Sequence, residues 1–453
     1  MSKIKGRFTI SGELHLESPL LISTGEKGYT DIVIQKDEKG IPFIPASSVC
    51  GVLRHYFYNN LMLEDEDKKQ LEYFWGSEKE KMSNELDTYQ SSFILQDLHA
   101  INNPKIVIRD GIKIDNKLGI AEDEKKFDYE VVEPGAVFAF NAEIILREKF
   151  SEKMFFKIIS TIVKALAESE VYLGAMTTKG FGRCRLLNYK LYKYDYRKKE
   201  DVISWLKEQQ REEQIIKVDF KNIFMPKVDK FMLDATFNIK NSLIVKSYSG
   251  LPGESDAVHI SSGGKDIIPA TSIKGAIRAR AIKIINTFGS NGEEMVKGLF
   301  GWASKESDGE KQKSRFIVEE AQIKHSIKET QFRIKIDRFT GGVKKTALFD
   351  STPVWGNDNK TEVTINIKVD GCEPWEAGLM LLLLKDLWNE DLPFGGEKNI
   401  GRGILKGKSA NLCIKNNHYT INQDGEQLKV NGDKEELESL VKVFIEKCKG
   451  KEA

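Results

Sequence analysis

The sequence predicts an α+β protein of two tandem ferredoxin-like units. Three observations point there: the chain repeats itself, each copy runs strand, helix, strands, helix, strand, and 453 residues suffice for two cores. The repeat is plainest in Ile44-Pro45-Ala46-Ser47-Ser48-Val49-Cys50-Gly51-Val52-Leu53-Arg54. It returns as Ile268-Pro269-Ala270-Thr271-Ser272-Ile273-Lys274-Gly275-Ala276-Ile277-Arg278, 224 residues on. Phe74-Trp75-Gly76 answers Leu299-Phe300-Gly301, and Phe93-Ile94-Leu95 answers Phe316-Ile317-Val318. Lys113-Ile114-Asp115 answers Lys335-Ile336-Asp337, and Gly174, Gly180 and Gly182 answer Gly395, Gly401 and Gly403. The offset stays between 221 and 225 residues, so what one copy does is expected twice.

Each element follows from local pattern. Phe8, Ile10, Leu14 and Leu16 alternate with polar neighbours as a half-buried strand does, and so do Phe237, Ile239, Leu243 and Val245. Glycine-bearing loops follow, Ser23 to Thr30 and Ser247 to Ser255, long enough to be functional. Ser47-Ser48 and Thr271-Ser272 then precede apolar helical runs, the second through Ile273, Ile277, Ile282 and Ile285, and read as helix N-caps. Pro45 and Pro269 stand outside, where a missing N–H costs nothing. Residues 92–98 and 315–321 read as strands, 155–171 and 375–389 as helices, and Cys184 to Tyr192 and Ile404 to Cys413 as last strands.

The predicted domains are 1–195 and 231–415. Residues 196–230, dense in mixed charge, read as a linker with a surface helix from Asp201 to Gln214. Residues 416–453 form an extension ending in a helix, Lys434 to Lys447, whose face of Leu437, Leu440, Val441, Phe444 and Ile445 needs a surface.

Composition narrows the function classes. Forty per cent hydrophobic and 30% charged residues describe an ordinary soluble chain, and no apolar run reaches spanning length. The N-terminus lacks an apolar signal segment, and five scattered cysteines form no CxxC pair; a cytoplasmic setting without zinc or disulfides is expected. Net charge is only +1, so any nucleic-acid surface must come from segregated charge.

Two motifs carry chemistry. The Pro-Ala-(Ser/Thr)-Ser element sets hydroxyls, backbone N–H groups and Arg54 or Arg278 at a helix start, where the helix dipole favours an anion. Lys274 adds a charge there and Cys50 does not; the plain alternative is a capped helix. The loop Gly174 to Arg183 recurs as Gly395 to Gly403, bearing Lys179, Arg183, Lys398 and Arg402 among its glycines. It lacks GK[ST] and precedes a strand, so it is not a Walker A loop; a backbone-cradling nucleic-acid loop or a bare turn remains.

The ordered set resembles the RAMP (repeat-associated mysterious protein) superfamily, specifically the backbone subunit of type III CRISPR–Cas effector complexes in a fused two-repeat, type III-D-like form. The resemblance implies RRM-like palms with thumb hairpins, here Lys113 to Glu133 and Lys335 to Pro353. It implies guide CRISPR RNA along the palm, contacted by Ser47, Ser48, Arg54, Thr271, Ser272, Lys274, Arg278, Lys179, Gly180, Gly182, Arg183, Lys398, Gly401 and Arg402. Thumb contacts would be Lys113, Arg338, Lys344 and Lys345, with Leu118, Phe127, Phe339 and Phe349 as wedges against displaced bases or as core. It also implies target-RNA cleavage by a loop aspartate with Mg²⁺ or another divalent cation: Asp31, 14 residues before Pro45, and Asp256, 13 before Pro269. His259 lies near enough in sequence to tune Asp256.

The leading expectation is a subunit that binds guide and target RNA beside other type III subunits and cuts the target at two sites, with no membrane partner. A non-catalytic scaffold is the alternative. A guide-processing ribonuclease is disfavoured because none of the six histidines falls in a duplicated motif.

Overall fold

The computed structural model describes residues 3–26, 28–76, 90–115, 120–227, 230–248, 255–304, 309–357 and 360–450. Two compact units emerge. The first comprises Met1–Ile108, Phe127–Thr177 and Phe181–Lys227; the second comprises Arg109–Lys126, Thr178–Gly180 and Val228–Ala453.

In the first unit an antiparallel sheet runs in the order Phe93–Leu95, Val137–Arg147, Ile4–Leu16, Cys184–Asp195, Ile215–Ile216. Its first four strands have the 2-3-1-4 order of a ferredoxin-like unit. Alternation in Ile4–Leu16 buries Phe8, Ile10, Leu14 and Leu16 beneath helices Ala46–Asn60 and Glu152–Ala167, as the period-2 pattern requires. Phe74, Trp75 and Phe93 stack in this core, which makes the Phe-Trp-Gly element structural.

The second unit repeats the order with Ala321–Lys324, Glu362–Asp370, Lys230–Ile239 and Leu405–Ile414, and Phe316–Val318 also pairs with Glu362–Asp370. Helices Ala270–Thr287 and Pro374–Trp388 cover it, with Ile273, Ile277, Ile282 and Ile285 buried as predicted. The fold is thus α+β, two tandem ferredoxin-like repeats each carrying a hairpin insertion.

Three local readings change. Helix Ala46–Asn60 begins at Ala46, with Pro45 at the cap position, so Ser47 and Ser48 lie within the first turn; Pro269 plays the same part before Ala270–Thr287. The capping acceptor comes from outside the helix, for the Ala46 N–H donates to Asp97 Oδ1 at 2.7 Å. The helix expected over Asp201 to Gln214 is Lys199–Leu206, followed by a 3₁₀ turn at Glu212–Gln214. Asp201 accepts from Arg211, Gln214 and the Asp195 N–H, and that fold-back ends the helix. Further along, Phe224 packs edge-on to Phe57 and is 2% exposed.

The C-terminal residues hold two strands that local pattern missed. Asn417–Asp424 and Gln427–Asn431 extend the second sheet beyond Leu405–Ile414. Helix Lys434–Cys448 finds its surface in its own unit: Phe444 is fully buried, edge-on to Phe288. Its backbone comes so close to Pro374–Trp388 that a Cβ on Gly378 would sit 2.2 Å from Leu440 O.

Candidate cleavage sites and nucleic-acid interface

Asp31 and Asp256 occupy matched places, each just before a residue that pairs in parallel with the returning strand of its repeat's hairpin. Ile32 bridges Tyr129, and Ala257 pairs with Ser351. Beside each bridge stands a second aspartate. The Asp31 N–H donates to Asp128 Oδ1 at 2.8 Å, and the Asp128 N–H returns the bond to Asp31 Oδ2 at 3.1 Å. In the second repeat the Asp256 N–H donates to Asp350 Oδ1 at 2.7 Å, and the Asp350 N–H to Asp256 Oδ2 at 3.5 Å. The second clasp is therefore the looser one.

Sequence reading missed Asp128 and Asp350, although a signal existed: Phe127-Asp128 recurs as Phe349-Asp350 at the same 222-residue offset as the Lys-Ile-Asp element. Each carboxylate spends one oxygen on its partner's backbone. The other oxygen remains for a ligand, and Asp31 and Asp256 are exposed.

His259 stands apart from this chemistry. It is 3% exposed, and its Nδ1 accepts from the Val245 N–H at 3.1 Å while Nε2 lies 2.8 Å from Ile267 O. A carbonyl only accepts, so Nε2 carries the proton and the ring is neutral. Burial pushes its pKa down to about 4. His259 fills the core position that Ile34 fills in the first repeat, and tuning of Asp256 is replaced by a structural role.

Among the described residues no group of three or more His, Cys, Asp or Glu is placed to hold a metal ion. The remaining carboxylate oxygen of Asp31 or Asp256 suits a hard cation that takes most of its ligands from water, as Mg²⁺ commonly does.

The expected RNA contacts sort by their partners. Ser47 is exposed, and Ser48, Thr271, Ser272 and Arg54 are half-buried. Arg278 lies 3.7 Å from Glu293, Arg183 is 3.0 Å from Glu17, and Lys113 is 2.8 Å from Glu122. Lys274 is 8% exposed and directs Nζ at Ser314 Oγ and Phe316 O, both at 2.8 Å, and at Thr178 O at 3.2 Å. Burial first, then repulsion from Lys179 and Arg278, pushes its pKa down to about 7. Arg402 is 3% exposed, bonded to Gln331 and 3.0 Å from Glu397.

Glu397 also meets Arg333 at 2.7 Å and Lys246 at 3.0 Å, a cluster that the first repeat replaces with apolar packing around Met176 and Phe181. Both Met176 and Glu397 sit at positive φ, 57° and 56°, so the loop geometry persists while its chemistry diverges. Burial lowers the pKa of Lys179 and of Lys398.

Gly182 and Gly403 are structural: a Cβ would lie 1.8 Å from Leu173 O or 1.9 Å from Phe394 O. Gly180 is packed tightly, whereas Gly401 faces open space.

The hairpins are Ile106–Ile114 with Ala121–Val132, and Gln331–Ile336 with Val343–Thr352. Arg338, Lys344 and Lys345 are exposed on the second, where Phe332, Ile334 and Ile336 form an uncovered row and Phe339 is 99% exposed. Phe349 is also exposed, whereas Phe127 packs beside Tyr129; Leu118 lies outside the described residues. An apolar row bordered by lysines is a surface suited to unstacked bases and their phosphates.

The family model of the RAMP superfamily matches residues 13–185 and 240–406, well over half of the chain and one stretch in each repeat. No curated protein matches the sequence. No helix among the described residues is long and apolar enough to cross a membrane.

Proposed function

Because the chain belongs to the RAMP superfamily, a type III CRISPR-associated family, we propose that it is the fused two-repeat backbone subunit of a type III effector complex. In this reading it binds guide CRISPR RNA and complementary target RNA beside other effector subunits, and cuts the target once per repeat. One observation carries the reading: the paired-aspartate clasp occurs twice, each time at the base of a hairpin.

The chain's own residues supply alignment. Asp31 and Asp256 face the RNA, and Asp128 and Asp350 hold their backbones in place. The exposed apolar and cationic residues of the hairpins part the duplex, so that a displaced nucleotide bends its 2′-oxygen toward the adjacent phosphorus. Holding that geometry is a large share of what an enzyme with few catalytic groups must do. Asp31 and Asp256 would hold a divalent cation, which would supply charge neutralisation at the scissile phosphate.

The test uses the complex assembled with guide and partner subunits. Asp31→Ala and Asp256→Ala should each erase one of two target cuts while target binding persists. An unchanged cleavage map in both variants would leave only the scaffold reading.

A further inference from the structure

The loop that leads to Asp31 presents an aromatic ring that neither the core nor the clasp uses. Tyr29 stands wholly in solvent, at 107% of the reference exposure, two residues before Asp31. A single exposed apolar side chain needs no explanation of its own. This one is set apart by its backbone, which is pinned on both sides.

After the ring, Thr30 is 4% exposed and its Oγ1 donates to Ile32 O at 2.9 Å, while Asp31 is clasped to Asp128. Before it, the Gly28 N–H donates to Thr30 O at 3.2 Å, and a Cβ on Gly28 would lie 2.7 Å from Val33 Cγ2. Glycine permits that close approach. The root of the loop is tied as well: Ser23 bridges Ile34, and the Thr24 N–H donates to Val33 O at 3.1 Å. The ring therefore starts from a fixed point beside Asp31.

A tyrosine freezes only two torsions when it makes a contact, so a ring placed in advance is an efficient docking face. Two residues of chain span at most ~7 Å, which keeps the ring within about one nucleotide of whatever Asp31 meets. Every base has a π-face, so a stack holds a base without demanding a sequence. That suits a site at which pairing with a guide reads the sequence.

The second repeat differs. Two residues before Asp256 stands Glu254, a carboxylate with no ring face. The aromatic residue of that loop, Tyr248, comes eight residues before Asp256, and Lys126 Nζ lies 5.4 Å from its ring centroid. A cation already uses that ring.

We propose that Tyr29 is the stacking platform for an unpaired target base at the first cleavage site, and that the second site works without one. The inference rests on the proposed reading of Asp31 as RNA-facing and adds the residue that holds the base there.

The experiment scans 2-aminopurine, a base whose fluorescence falls on stacking, position by position along target RNA bound to the assembled complex. Tyr29→Ala should brighten one position or two adjacent ones, and Tyr29→Phe should leave them quenched, because a phenyl face stacks too. Both variants should keep the wild-type unfolding temperature, since the ring stands in solvent. With unlabelled target, Tyr29→Ala should slow only the Asp31-dependent cut, roughly 5- to 150-fold, the worth of one base–aromatic stack. Identical fluorescence profiles in wild type and Tyr29→Ala would overturn the proposal. So would a Tyr29→Phe variant as bright as the Ala variant. A Tyr29-dependent signal beside cutting that Asp31→Ala leaves unchanged would remove the cleavage reading and leave the stack standing.

Discussion

Asp31 and Asp128 hold one another by the backbone: each carboxylate accepts the other residue's N–H, at 2.8 and 3.1 Å, across 97 positions of sequence. Asp256 and Asp350 repeat the arrangement. The clasp is reciprocal, but Asp31 is exposed and Asp128 half-buried on the hairpin strand, so in the proposed reading Asp31 faces the RNA and Asp128 positions it. Asp128→Ala should therefore slow the first cut about 10- to 100-fold, the usual cost of losing a supporting contact. Asp128→Asn retains the acceptor oxygen and should restore most of the rate. Single-turnover cleavage of labelled target by the assembled complex distinguishes the two. An Asn variant as slow as the Ala variant would make Asp128 a metal ligand instead.

Metal removal should separate cutting from binding. On the proposed reading, with one RNA-facing carboxylate per repeat, chelation should abolish both cuts and leave target affinity within about twofold, because phosphate contacts and base pairing would carry binding. Mg²⁺ or Mn²⁺ should restore both cuts. Electrophoretic mobility shift and cleavage assays at fixed salt give the two readouts.

His259 predicts an acid-side loss of stability. Its folded pKa of about 4 lies below the ordinary 6.5, so between those values the unfolded chain binds the extra proton. The neutral ring's contribution is thus complete above pH 6.5 and declines as pH falls toward 4, by roughly 2–3 kcal/mol at most. Urea unfolding of wild type between pH 7 and 4 should show this decline. His259→Leu should flatten it, with the lost hydrogen bonds lowering stability at neutral pH.

Lys274 predicts the corresponding slope on the alkaline side. Its folded pKa of about 7 against an ordinary 10.5 means that the unfolded chain binds more protons across that interval, so stability rises with pH through it. Lys274→Met should flatten the rise. Because its Nζ is already surrounded by three protein oxygens, the substitution should change guide-RNA affinity by less than about twofold and leave the salt dependence intact. A phosphate contact would instead reduce the salt slope by about one.

The sequence by itself determined the duplication, the ferredoxin-like strand and helix order of each repeat and the core faces. Those features are local or periodic: alternation marks Phe8 to Leu16, helical spacing marks Ile273 to Ile285, and a repeat is visible by comparing a chain with itself. Tertiary structure decided the partners. That Asp128 clasps Asp31, that His259 turns inward, that Lys274 and Arg402 spend their charge on protein oxygens, and that Arg109 meets Glu320 all depend on segments far apart in sequence. Residue type and spacing give a charged side chain its reach, but only the packed chain settles which acceptor it desolvates against, and burial then fixes its charge.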